Sequence, residues 1–138
     1  NCGLNYFPSE ILKLPSLTHL ALRRNNITSL LKDIGFLSDL VYLNLRLNKL
    51  TKLPASIGLL SNLKYLNLSS NNLIEFPKSI GNLGSLKELN LSNNKLKNIP
   101  SSIGNLNSLE VLNIKANFWI QLPDNIKKLE LESLDIIS

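Results

Sequence analysis

The chain has 138 residues, of which 43% are hydrophobic, and it carries a formal net charge of +5. This length and composition are those of a single folded domain. No stretch approaches the roughly 18 uninterrupted apolar residues of a membrane helix, so no membrane span is expected.

Charge and cysteine content narrow the expected partner and compartment. The 15 basic residues are spread along the chain, without a basic run interleaved with aromatics, so no nucleic-acid partner is expected. The single Cys2 cannot form an internal disulfide, which favours a reducing compartment such as the cytoplasm, although an intermolecular bridge or a partner cysteine beyond this fragment stays open. Because the sequence begins at Asn1 and contains no Met, we expect a fragment or processed form of a longer chain.

A 23-residue repeat runs through the sequence. Each unit reads L-x-x-L-x-L-x-x-N-x-L and continues as apolar-Pro-x-x-I-G-x-L. The alternating x-L-x-L core is typical of a short strand with one buried face, and successive units predict parallel strands in one continuous sheet. The complete units begin at Leu17, Leu40, Leu63, Leu86 and Leu109.

The two ends of the chain fit partial units. Residues 1–16 read as the second half of a unit in which 2–4 correspond to 48–50, so Cys2 is expected to be a small buried group rather than a reactive thiol. The strand pattern recurs at 131–137, which predicts a last strand there. Neither end carries a clear polar cap, so we expect the native protein to continue at least on the N-terminal side of this single domain.

Two departures from the repeat stand out. Leu31 lies where the other units have Pro, which predicts a less fixed turn. Trp119 replaces a core leucine and is expected to pack toward the last strand. Its neighbour Phe118 lies at an otherwise polar position, where it is a candidate contact residue.

Three columns of the repeat have structural explanations. A buried asparagine at each strand exit can satisfy backbone groups that have lost their sheet partners. The prolines at 54, 77, 100 and 123 are expected to begin the wall opposite the strands, and the recurring glycines to serve the turn of each unit. The asparagine column is Asn25, Asn48, Asn71, Asn94 and Asn117, and the glycine column is Gly35, Gly58, Gly81 and Gly104.

These motifs resemble the leucine-rich repeat family. The L-P-x-x-I-G-x-L unit, as in residues 53–60, is similar to those of intracellular Ras-suppressor and Ras-scaffold proteins and of the Scribble and Erbin group. The resemblance implies an α/β solenoid: a curved right-handed stack with a parallel β-sheet on the concave face and short helical or irregular segments on the convex side. It also implies protein binding without catalysis, often with a small GTPase or phosphatase as partner.

The concave face is the predicted binding surface because its outward-facing positions are free of core constraints. Arg and Tyr are enriched at binding hot spots, and the first three strands present several of them, which suggests a grip on an acidic protein surface. The alternative is a solvated sheet face without a binding role. The candidate residues are His19, Arg23, Arg24, Tyr42, Asn44, Arg46, Tyr65, Asn67 and Glu88.

Catalysis is not expected. One His and one Cys cannot supply a nucleophilic triad or a metal-ligand set, and no phosphate-binding glycine motif occurs, so no cofactor is expected. Glycosylation sequons at Asn26, Asn67 and Asn90 are of a kind that an Asn-rich repeat generates by chance. Two other roles stay open: the ectodomain of a secreted or surface recognition protein, and a regulatory segment of a larger enzyme.

Overall fold

The computed structural model describes residues 3–117, 121–129 and 131–135, and short strands alternate with short 3-10 helices throughout. The strands are β1 His19–Ala21, β2 Tyr42–Asn44, β3 Tyr65–Asn67, β4 Glu88–Asn90, β5 Val111–Asn113 and β6 Ser133–Asp135. The 3-10 helices are η1 Ser9–Lys13, η2 Lys32–Phe36, η3 Ala55–Leu59, η4 Lys78–Asn82, η5 Ser101–Asn105 and η6 Asp124–Lys128. In the described part of the chain no helix is long and apolar enough to cross a membrane.

The strands form one parallel sheet in the order β1-β2-β3-β4-β5-β6. Each strand pairs with the next without a slip in register, so that Leu43 lies opposite Leu66 and Leu66 opposite Leu89. The central leucine of β2, β3, β4 and β5 is at most 2% exposed, as the alternating pattern predicts for a strand with one buried face. The predicted fold class, a solenoid with the sheet on its concave face, is confirmed.

The core lies between the sheet and the 3-10 helices. Each of η2 to η5 contributes one isoleucine to this core, and all four isoleucines are fully buried. They lie in the I-G-x-L part of each unit and are Ile34, Ile57, Ile80 and Ile103. Each unit packs on its neighbours, so burial of apolar surface runs continuously along the stack.

The side chains of the asparagine column form hydrogen bonds between neighbouring units. Asn48 Oδ1 accepts the backbone N–H of Ile27 at 3.1 Å, and its Nδ2 donates to the carbonyls of Leu22 and Leu45. The same arrangement recurs at Asn71, Asn94 and Asn117. This confirms the prediction that these amides satisfy backbone groups at the strand exits.

The glycine column has a different cause from the predicted one. None of these glycines has a positive φ; instead the next unit approaches too closely for a side chain. A Cβ on Gly35 would lie 2.8 Å from the carbonyl oxygen of Ser56, and a Cβ on Gly58 would overlap the carbonyl oxygen of Ser79. The explanation by the turn is therefore wrong: the glycines permit close packing between 3-10 helices.

The substitution of Pro by Leu31 leaves the backbone unchanged. Leu31 precedes η2 with φ −68° and ψ 146°, and Pro54 precedes η3 with φ −69° and ψ 150°. The leucine thus adopts the conformation that the proline ring prefers.

The terminal units follow the pattern as far as the structure describes them. The N–H of Leu4 donates to Asn25 Oδ1, the bond that Ile27 makes to Asn48 one unit later. In β6, Leu134 is 38% exposed, because no described strand packs on its far side. The expectations for Cys2, Phe118, Trp119 and Ile136 lie outside the described residues.

Candidate interaction surface

Three ring-bearing side chains form a row across the first strands. His19, Tyr42 and Tyr65 occupy the same position on β1, β2 and β3 and are paired in register. The rings of His19 and Tyr42 are stacked, with centroids 5.8 Å apart, and Tyr42 and Tyr65 follow at 6.4 Å in a tilted arrangement. We call these residues the aromatic row. The row is a partly exposed, largely preorganised surface suited to contact with apolar or aromatic groups.

The asparagines beside this row serve the fold itself. Asn44 Nδ2 donates to the hydroxyl of Tyr42 at 2.9 Å, and Asn44 Oδ1 accepts the backbone N–H of Arg46 at 3.1 Å. Asn44 is only 9% exposed, so its amide offers little surface to a partner. Asn67 is half-buried, and its Oδ1 accepts bonds from the backbone and hydroxyl of Ser69. Both amides shape the surface more than they offer free groups to a partner.

Arginines lie at the ends of the first two strands. Arg23, Arg24 and Arg46 are all exposed, and the backbone N–H of Arg24 donates to the carbonyl of Arg46 at 2.9 Å. Arg24 adopts the left-handed conformation, with φ 56°. We call these three residues the arginine cluster. Among the described residues, none of the three forms an ion pair with a carboxylate.

Two ion pairs lie near the later strands. Lys87 Nζ lies 2.6 Å from Glu110 Oε1, and Lys115 Nζ lies 3.3 Å from Asp135 Oδ1. The hydrogen bond to Glu110, together with its negative charge, raises the pKa of Lys87 above its usual value. The concave face is therefore asymmetric: its described ion pairs lie toward β6, and the uncompensated arginines lie toward β1.

Glu88 borders the aromatic row on its C-terminal side. It is exposed and lies opposite Tyr65 in the register of β3 and β4. A shallow cleft of about 160 Å³ lies between Tyr42, Tyr65 and Glu88. Glu88 thus marks where the face changes from cationic and aromatic to mixed charge.

The structure brings most of the predicted site together. His19, Tyr42 and Tyr65 form one row. Arg23 and Arg46 lie in one column, two positions beyond the paired residues Ala21 and Asn44. The ion pair between Lys87 and Glu110 was not predicted from the sequence. Opposite charges at the same position of successive repeats are the sequence signal that could have identified it. Within the described ranges no group of three His, Cys, Asp or Glu is placed to hold a metal ion.

The sequons at Asn67 and Asn90 fall on this concave face. Asn90 Oδ1 accepts bonds from the backbone and hydroxyl of Ser92, as Asn67 does from Ser69. A glycan attached to the Nδ2 of either residue would cover the sheet. The chance origin of these two sequons is consistent with this structural use.

The chain belongs to the leucine-rich repeat family. The family description "Leucine-rich repeat region" matches residues 56–138, and "Leucine rich repeat" matches residues 15–73. Proteins of this family bind protein partners, and their repeat domains are generally non-catalytic interaction modules. No curated protein sequence matches the chain significantly.

Solved structures share this fold over nearly the whole chain. A leucine-rich repeat protein of Leptospira interrogans is 36% identical with a TM-score of 0.87, and the match covers 99% of this chain and 41% of that one. The plant peptide hormone receptor RGFR1, solved in complex with RGF2, is 32% identical with a TM-score of 0.86, covering 96% and 22%. A TDR receptor is 33% identical with a TM-score of 0.83, covering 91% and 23%. The chain thus spans less than half the length of these proteins.

Proposed function

We propose that this chain is a non-catalytic interaction module that binds a protein partner through the concave face of β1 to β3. The partner presents an acidic surface to the arginine cluster and apolar groups to the aromatic row. Of the residues expected to take part, His19, Arg23, Arg24, Tyr42, Arg46 and Tyr65 make the contact, and Asn44 and Asn67 hold the surface in shape. Glu88 bounds it.

The observation that carries this proposal is the pairing of charges along the stack. Lys115 and Lys87 on the later strands have carboxylate partners, whereas Arg23 and Arg46 have none among the described residues. Uncompensated guanidinium groups next to exposed rings are the residue types that dominate binding energy at protein interfaces. Such a surface favours a partner of complementary charge and also speeds encounter with it.

The finer assignment is a signalling scaffold or regulator in the cytoplasm. The 23-residue L-P-x-x-I-G-x-L unit supports it by its resemblance to the Ras-suppressor, Scribble and Erbin proteins, and that resemblance suggests a small GTPase or phosphatase as partner. The net charge of +5 is compatible with an acidic partner of this kind.

Matched baits test the proposal. The wild-type chain, Tyr42→Ala and Arg46→Glu are compared in affinity capture with quantitative mass spectrometry. Val111→Ala and Lys115→Gln are the controls, because they lie in the same two columns but on β5. We expect a protein that is retained by the wild type and by both controls. The same protein should be depleted at least about tenfold on Tyr42→Ala and Arg46→Glu. Equal retention on all five baits would contradict the proposal.

A second candidate is the ectodomain of a secreted or surface recognition protein. The similarity to a plant peptide hormone receptor and to a TDR receptor, at 32% and 33% identity, favours it. A regulatory segment of a larger enzyme is also compatible with a chain that spans less than half of these proteins. The full-length sequence separates these roles: a signal peptide with Cys-rich caps supports the ectodomain, and a flanking catalytic domain supports the regulatory segment.

A further inference from the structure

The arginine cluster carries more positive charge than one carboxylate can match. Arg23 and Arg46 occupy the same column on neighbouring strands, so their backbones lie about 4.8 Å apart. The bond from the Arg24 N–H to the Arg46 carbonyl places the third arginine in the same turn. All three side chains are exposed, and no described carboxylate forms an ion pair with any of them.

The surroundings of the cluster set its size. The next residue in the column, Ser69, is 5% exposed, and its hydroxyl donates to Asn67 at 2.7 Å. At the far end of the same column Lys115 is neutralised by Asp135. Within this column, the uncompensated charge is therefore confined to Arg23 and Arg46.

We propose that the arginine cluster is a phosphoryl-binding subsite that reads a phosphorylated side chain on the protein partner, an inference that rests on the proposed function. One carboxylate carries a single charge on two oxygens, so it offsets only one of the three guanidinium charges. A phosphoryl group carries nearly two negative charges and three strong acceptor oxygens, which several arginines can share. The three guanidinium groups come closer to the second group in charge and in number of hydrogen-bonding positions.

The position of the subsite favours a protein segment over a membrane. The arginines lie at the strand ends of a concave face, which a flat bilayer surface cannot follow. Along β1 the cluster is four residues from the aromatic row, or about 13 Å for an extended chain. A protein segment can place a phosphorylated side chain at the arginines and an apolar side chain at the rings, and a lipid headgroup cannot bridge the two.

Titration of the isolated domain with phenyl phosphate at pH 8, followed by NMR of the arginine Nε–H groups, tests the subsite directly. We expect saturable shifts at Arg23 and Arg46, with binding weakened at least about tenfold in Arg46→Gln and in Arg23→Gln. Lys115→Gln is the matched control and leaves the affinity unchanged. Arg46→Lys keeps the charge but loses the planar fork, so we expect it to recover only part of the binding.

Several results would overturn the inference. These are the absence of saturable shifts, an acetate titration that binds as tightly as phenyl phosphate, or full recovery by Arg46→Lys. Binding of the wild type to phosphatidylserine vesicles, lost in Arg46→Gln, would instead assign the cluster to a membrane.

A partner whose capture depends on Tyr42 and Arg46 allows this inference to be tested separately from the proposed function. If phosphatase treatment of that partner leaves its affinity unchanged, the phosphoryl subsite is wrong and the protein-binding surface stands. If no partner depends on Tyr42 or Arg46, the proposed function fails even where phenyl phosphate binds.

Discussion

Asn71 accepts a hydrogen bond from the backbone N–H of Leu50 at 3.0 Å, although 21 residues separate them. The Nδ2 of the same side chain donates to the carbonyls of Leu45 and Leu68, both at 3.0 Å. One amide thus satisfies backbone groups in two successive units at a position that is 6% exposed. The stack depends on these shared bonds as well as on leucine packing.

Asn71→Ala should destabilise the domain by about 3 kcal/mol, because it leaves several buried backbone groups unsatisfied. The neighbouring Asn72 is half-buried, and its replacement by alanine should change the free energy of unfolding by no more than about 0.5 kcal/mol. Urea denaturation of both variants measures the difference. A similarly small loss of unfolding free energy for both variants would show that the asparagine column contributes little to stability.

Gly58→Ala should cost about 2 kcal/mol or more, because the added methyl group would meet the Ser79 backbone. Gly84 has nothing within 4 Å of its Cβ position. Gly84→Ala should therefore be neutral or stabilise the domain by about 0.5 kcal/mol, through the lower entropy of the unfolded chain. Thermal unfolding of the pair checks the close-packing explanation, which fails if both substitutions behave alike.

Ala116→Gly should stabilise the fold by about 0.5 kcal/mol. Ala116 is exposed and has φ 50°, and glycine removes the steric penalty of that conformation at the cost of greater freedom in the unfolded chain. Ala55→Gly is the control, since Ala55 is also exposed but begins η3, and it should destabilise by about 0.5 kcal/mol. Chemical denaturation distinguishes the two signs, and destabilisation by Ala116→Gly would contradict the argument.

Glu110→Gln should lower the pKa of Lys87 toward the ordinary lysine value of 10.5. In the wild type, the hydrogen bond to Glu110 and the negative charge of Glu110 raise the pKa of Lys87. The sign follows from linkage: a raised lysine pKa stabilises the fold below pH 10.5, and the contribution is lost as the pH rises through the folded value. NMR titration of the Lys87 side chain gives both values. Identical titration curves would show that the pair does not form in solution.

The repeat units and their strands were predictable from the sequence, because leucine spacing alone decides which side of each strand is buried. The prediction for Asn71 also succeeded, since few residues can serve both N–H and C=O groups in a buried turn. Gly58 was explained wrongly because a close approach between units leaves the same glycine signal as a turn. The left-handed conformation of Leu47 carries no sequence signal, since Arg, Leu, Ser, Asn and Ala all occupy that column.

The candidate site was predictable in position but not in detail. The one-period spacing of His19, Tyr42 and Tyr65 placed them in adjacent strands, and this placement needed only the register. The burial of Asn44 was not predictable in this way, because it depends on where the Tyr42 hydroxyl lies relative to the amide. Side-chain conformations decide such contacts, and the repeat pattern contains no information about them.

Hydroxyl-radical footprinting of the domain with and without its captured partner is the most direct test of whether the partner binds the concave face of β1 to β3. We expect Tyr42, Tyr65 and His19 to lose reactivity on binding. Tyr6 and Phe36, which are 74% and 68% exposed and lie outside the sheet, should react equally in both states and serve as internal references. Protection of Phe36 with Tyr42 and Tyr65 unchanged would place the partner on the other wall of the stack and contradict the account.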